Sequence, residues 1–124
     1  MYYKLNSKIL GNIGEDIATS YLVKQNYKIL SRNWQCGHLE IDIIALRNDT
    51  LIFVEVKARL SSNYGDPQEA VSDTKINNLV NAADSYIYKH GYKGEIRFDI
   101  IAIMFNRSIH KYQIEHIKDA FFNC

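Results

Sequence analysis

With 124 residues, 47% hydrophobic and 23% charged, the chain is expected to form a single domain over 1–124 with its own core. That excludes a disordered tail and a small scaffold that needs disulfides or a metal to fold. A net charge of +1 excludes a strongly basic body drawn to nucleic acid by bulk attraction, though it says nothing against a local patch. Cys36 and Cys124 have no partner at redox or metal-ligand spacing, the start MYYKLNSKILGN lacks the apolar run of a signal peptide, and no window approaches bilayer length. The expectation is therefore a soluble cytoplasmic protein with free thiols and no membrane partner.

The first predicted element is a helix from Asn12 to about Asn26. Ile13, Ile17 and Tyr21, with Ala18 and Leu22, recur at helical spacing, and Asn12 is the expected N-cap. YKILSRNWQ has strand character, with Tyr27, Ile29 and Trp34 set among polar residues. LEIDIIAL and LIFVEVKA read as two further strands joined by the turn-prone Arg47-Asn48-Asp49-Thr50. Asn63, Gly65, Asp66 and Pro67 mark an irregular loop. Ile76, Leu79, Val80, Ala83 and Ile87 then form the stripe of an amphipathic helix, capped by Ser72 or Asp73 and ended near Gly91 and Gly94. EIRFDIIAIM is a strongly apolar strand and IHKYQIEHI a weaker one. The order helix, three strands, helix, two strands predicts a central sheet covered by helices, in the α/β or α+β class.

Within the strand pair, residues two apart share a face. Glu40 and Asp42 are expected on one face, with Ile41, Ile43 and Ala45 on the other. On the next strand Glu55 and Lys57 share a face with Leu51 and Phe53, opposite Ile52, Val54 and Val56. A turn centred between Asn48 and Asp49 places Asp42 across from Glu55 and Glu40 across from Lys57, with Cβ atoms roughly 5 Å apart. Opposed like charges are destabilising, so the pair asks for a reason. A shared hard cation is one, because carboxylate oxygens are its preferred ligands. An ion-pair ladder, with Lys57 neutralising Glu55 or Glu40 at a solvated sheet end, is the other. For Glu15, the spacing Asn12-x-x-Glu15 favours a capping box.

Glu15 on the first helix, Asp42, and Glu55-Val56-Lys57, in this element order, resemble the PD-(D/E)xK nuclease superfamily, which includes restriction endonucleases and archaeal Holliday-junction resolvases. The blocks GNIGEDIATSYLVKQNYKILSRNW, EIDIIA, LIFVEVKAR, YGDPQEAVSDTK and RFDIIAI are similar to the YraN family of small bacterial endonuclease-like proteins and run from Gly11 to about Ile103. The resemblance implies a restriction-endonuclease-like α/β core, a central mixed sheet flanked by helices in the order α-β-β-β-α-β-β. It implies metal-dependent hydrolysis of DNA phosphodiesters, on branched or repair-intermediate DNA, with Mg2+ or Mn2+ as cofactor. Asp42, Glu55 and Glu15 would be metal ligands, the Val56 carbonyl a further one, and Lys57 the catalytic lysine. Arg59, Lys75 and Arg97 would contact phosphates, although a solvated surface role fits each of them equally. The family usually has Gly immediately before the Glu-Ile-Asp triplet, where this chain has Leu39, so the strand start there is expected to be shaped differently.

His38, His90, His110 and His116 form no zinc spacing and read as surface or loop histidines. Trp34 and Tyr27 read as packing residues. Two other function classes remain beside the enzyme: a nucleic-acid-binding module that does not cut, and a protein-interaction scaffold on the same fold. Symmetric cutting would call for a homodimer, but no interface is marked in the sequence.

Overall fold

The computed structural model of the protein describes residues 6–60 and 72–121. The loop expected at Asn63 to Pro67 and the terminal Cys124 lie outside the described residues. The element order is α1 (Ser7–Lys24), β1 (Lys28–Cys36), β2 (Leu39–Arg47), β3 (Thr50–Leu60), α2 (Asp73–His90), β4 (Glu95–Phe105) and β5 (Tyr112–Ile117). The strands form one sheet in the order β1-β2-β3-β4-β5. It is mixed: β3 and β4 are parallel, and the other pairings are antiparallel. The parallel pair follows from α2, the crossover that returns the chain to the same end of the sheet.

The first helix starts earlier than expected. Asn6, not Asn12, is the N-cap, and its side chain accepts the Ile9 N–H at 2.9 Å. Asn12 lies inside the helix, so the expected capping box with Glu15 does not form. The buried positions Leu10, Gly14, Ala18 and Leu22 recur every four residues and aim one narrow stripe at the sheet. At Gly14 the contact is close enough that an added Cβ would stand 2.5 Å from the Ala58 Cβ. The second helix is capped by Ser72, whose Oγ accepts the Lys75 N–H, and ends at Gly91 in the left-handed region.

The β2–β3 turn is as expected. Asn48 and Asp49 have φ of 48° and 65°, the pair of positive values that a two-residue hairpin turn requires. Arg47 pairs with Thr50, and the ladder runs from there to Ile43–Val54. Two cores result. On the α1 face, Ile43, Ala45, Ile52, Val54, Ile101 and Ile103 pack on Leu10, Ala18 and Leu22. On the α2 face, Ile41, Ile44, Leu51 and Phe53 pack on Leu79, Ala82, Ala83 and Tyr86. Trp34 lies against this second core, edge-on to Tyr86.

Ile41 therefore departs from the expected alternation, since it leaves the face of Ile43 and Ala45. The cause lies on the neighbouring strand. Asn33, between the Arg32–Ile43 and Trp34–Ile41 pairs and so across from Asp42, has φ 51°. The left-handed residue kinks the strand without shifting its register, and the side chains beyond it change face. Leu39, where glycine was expected, is an ordinary first residue of β2. It pairs with Cys36 across a turn containing Gly37 at φ 61°, and it packs against the second core. Cys36 is free and exposed. No helix among the described residues is long and apolar enough to cross a membrane.

Candidate active site

The kink at Asn33 and Asp42 decides the site. Beyond Ile43–Val54 the main-chain ladder of β2 and β3 stops, and the Asp42 side chain takes over: Oδ2 accepts the Val56 N–H at 2.8 Å. The carboxylate is thereby fixed against the backbone of the very tripeptide that carries Glu55 and Lys57. Asp42 and Glu55 both line a cavity of about 190 Å³ beneath the start of α2, together with His38, Glu40, Lys75 and Asn78.

The electrostatics are those of a crowded acidic pair. The Asp42 carboxyl is pushed up from its usual 3.8 to about 7. Burial is the main cause, the neighbouring Glu55 charge comes next, and the Val56 N–H opposes both. Glu55 is 8% exposed and keeps its charge compensated by Lys75, whose Nζ lies 2.9 Å from Oε1. Lys57 is half-buried beside Lys75, and its ammonium pKa is lowered, first by burial and then by the Lys75 charge. Burial is the largest single influence on Lys75 and lowers its pKa too, but the hydrogen bond and charge of Glu55, with smaller contributions from Lys57 and Asp42, together outweigh it and the pKa rises.

Glu15 stands next to this group rather than inside it. With its amide nitrogen turned toward the two carboxylates, Asn33 donates to Glu15 Oε1 at 2.9 Å and to Glu40 Oε1 at 3.1 Å. The Glu15 carboxyl is raised mainly by burial, which nearby Arg32 partly offsets. Among the described residues no three acidic, histidine or cysteine side chains converge closely enough to cage an ion on their own.

The sequence candidates separate accordingly. Asp42, Glu55, Lys57 and Lys75 form one interacting group, with Glu15 at its edge. Arg59 lies two residues beyond Lys57 on β3, level with Met104 of β4. Arg97 is elsewhere: its guanidinium grips Asp99 through two bonds of 2.8 Å and donates to the Tyr27 hydroxyl, in the α1-side layer. An arginine committed in this way is a structural counter-ion, so the expected phosphate contact does not fit its position. His116 also departs from the surface reading. Its side chain is 5% exposed, with Nε2 2.7 Å from Asp99 Oδ2 and Nδ1 3.0 Å from the Tyr21 hydroxyl.

Two residues that matter were not singled out from the sequence. Asn33 left no periodic trace. Asp99 did leave one, because Arg97-x-Asp99 has the same two-residue spacing as Glu55-x-Lys57 and marks a same-face ion pair.

Comparison with known proteins gives a consistent picture. The model of the uncharacterised protein family UPF0102 matches residues 14–103. A UPF0102 protein of Clostridium perfringens strain 13 is 42% identical over 119 residues, covering 95% of this chain and 98% of that protein. One from Bacteroides fragilis is 45% identical over 114 residues, covering 92% and 93%. One from Chlorobium chlorochromatii is 46% identical over 116 residues, covering 90% of each.

Proposed function

Starting from a chain that belongs to the uncharacterised protein family UPF0102, we propose a metal-dependent endonuclease that hydrolyses DNA phosphodiester bonds in the cytoplasm, with Mg2+ or Mn2+ as cofactor. One observation carries the reading: Asp42 and Glu55, from adjacent strands, face one cavity with two lysines beside them, and the Asp42 carboxyl is pushed up to about 7. A divalent cation shared by the two carboxylates would relieve the burial and mutual repulsion that hold the Asp42 carboxyl high.

The donor set fits such an ion. Both side chains offer only oxygen, which suits a hard divalent cation. Two carboxylates leave the remaining coordination positions to waters and phosphate oxygens, the usual arrangement for Mg2+. When bound, the ion would polarise the scissile phosphate and lower the pKa of water at the site. The chain's own residues supply the rest. Asp42, locked to the Val56 N–H, and Glu55, set in β3, hold fixed positions through backbone geometry and lose little freedom on binding. Lys57 projects from the same strand two residues on, where its ammonium can donate to phosphate oxygens and stabilise charge developing there. Lys75 offers a second cation to the DNA backbone. Glu15, steadied by Asn33, supports the acidic pair from the α1 side.

The test is an assay on linear, single-stranded, flapped and four-way DNA in Mg2+ and in Mn2+. Wild type should cut at least one of these. Asp42→Ala and Glu55→Ala should abolish cutting, and Lys57→Ala should lower it by about 10²-fold or more. Cutting retained by both purified acidic-site variants would overturn the proposal. Binding of DNA with no cleavage in either metal would favour the non-cutting module.

A further inference from the structure

Lys75 is oddly placed. It sits in the first turn of α2, where the unpaired N–H groups and the helix dipole disfavour a cation. Its neighbour Lys57 carries a second positive charge within hydrogen-bonding reach. Yet its Nζ is held 2.9 Å from Glu55 Oε1. The two partners differ sharply in exposure: the Lys75 side chain is 51% exposed and that of Glu55 11%. Glu55 is rooted in the centre of the sheet, whereas the lysine reaches in from solvent on a flexible stem.

We propose that Lys75 is a displaceable counter-ion: it and a divalent cation compete for the same Glu55 oxygen, so that metal entry releases the lysine toward solvent. This rests on the metal-dependent reading above and adds a gate to it. Three features favour release once an ion arrives. The ammonium is half in water and is readily resolvated. The divalent charge, the Lys57 ammonium and the helix N-terminus all repel it. Asp42 and Glu55 can together give a divalent ion two carboxylates, whereas among the described residues Glu55 is the one carboxylate that Lys75 hydrogen-bonds. Without metal, the lysine keeps a nearly buried carboxylate from standing uncompensated. A single oxygen thus serves the resting protein and the loaded one, and the lysine set free is left at the cavity mouth.

The experiment is calorimetric titration of MnCl2 into the metal-stripped full chain and three variants: Lys75→Met, Lys75→Arg and Glu55→Gln. Lys75→Met should bind Mn2+ about tenfold more tightly, because a charge-assisted, half-exposed competitor has been removed. Lys75→Arg, which keeps the charge, should stay within about threefold of wild type. Glu55→Gln should lose most of its affinity. Lys75→Met should also melt below wild type without metal and recover more with it, a pattern that a purely structural lysine would not give. Equal or weaker binding by Lys75→Met, with binding still lost in Glu55→Gln, would overturn the gate and leave the metal site standing. No Mn2+ binding by wild type or any variant would overturn both.

Discussion

Asp42→Asn is the substitution with the most quantitative consequence. A carboxyl whose pKa rises on folding binds its proton more tightly in the native state. Native stability is therefore highest below the ordinary value of 3.8, falls as pH rises, and levels off above about 7. With those two values, the wild-type cost is on the order of 2 kcal/mol at pH 5 and about 4 kcal/mol at pH 8. The increment between them is on the order of 2 kcal/mol, an upper figure because the proton is shared with Glu55. Asparagine fills the same space, cannot ionise, and keeps an oxygen for the Val56 N–H. Urea unfolding of both proteins, free of metal, at pH 5 and pH 8 measures the difference. The stability of Asp42→Asn relative to wild type should rise by about 2 kcal/mol from pH 5 to pH 8. A difference that is the same at both pH values, or that moves against the variant, would refute the assignment of a strained, cation-seeking carboxylate.

Asp99 should behave in the opposite sense. Burial would raise its pKa, but hydrogen bonds from His116, Arg97 and the Asp119 N–H outweigh this and hold it below the usual carboxylate range. Its contribution is therefore present above about pH 4 and lost as pH falls through the lower folded value. Asp99→Asn, which leaves Arg97 and His116 without their anion, should cost about 3 kcal/mol at pH 7, and urea unfolding at falling pH should show the gap closing. Gly14→Ala tests the packing of α1 on β3. Helix propensity alone would stabilise by about 1 kcal/mol. The clash of the new Cβ with Ala58 should reverse the sign and leave the variant about 1 kcal/mol less stable, and a higher melting temperature would contradict the described contact.

Much of the fold was legible because its signals are local. The Asn48-Asp49 turn fixed the register of β2 and β3, and the observed pairs from Arg47–Thr50 to Ile43–Val54 follow it. The Leu79–Ala83 stripe likewise located α2, and Ser72 its cap. What escaped was set by tertiary context. The α1 start at Asn6 precedes the periodic residues that suggested Asn12, because the extra turn packs Leu10 alone into the core. Ile41 changes face because of a left-handed asparagine on another strand, which alternation within β2 cannot reveal. The same kink explains how the opposed carboxylates are tolerated. Asp42 does not simply face Glu55 across a regular ladder but turns to cap Val56. Lys75 entered the sequence reading only as a basic residue, since nothing in its spacing tied it to Glu55 some 20 positions away.

The central claim, that Asp42 and Glu55 together hold a divalent ion, is tested most directly by melting the metal-free protein against rising Mn2+, with the Asp42→Asn/Glu55→Gln double variant as control. The wild-type midpoint should climb steadily, reflecting about 2.7 kcal/mol of added stability at a hundred times the Kd, while the double variant stays flat. An equal climb in both proteins, or none in the wild type at millimolar metal, would contradict the account.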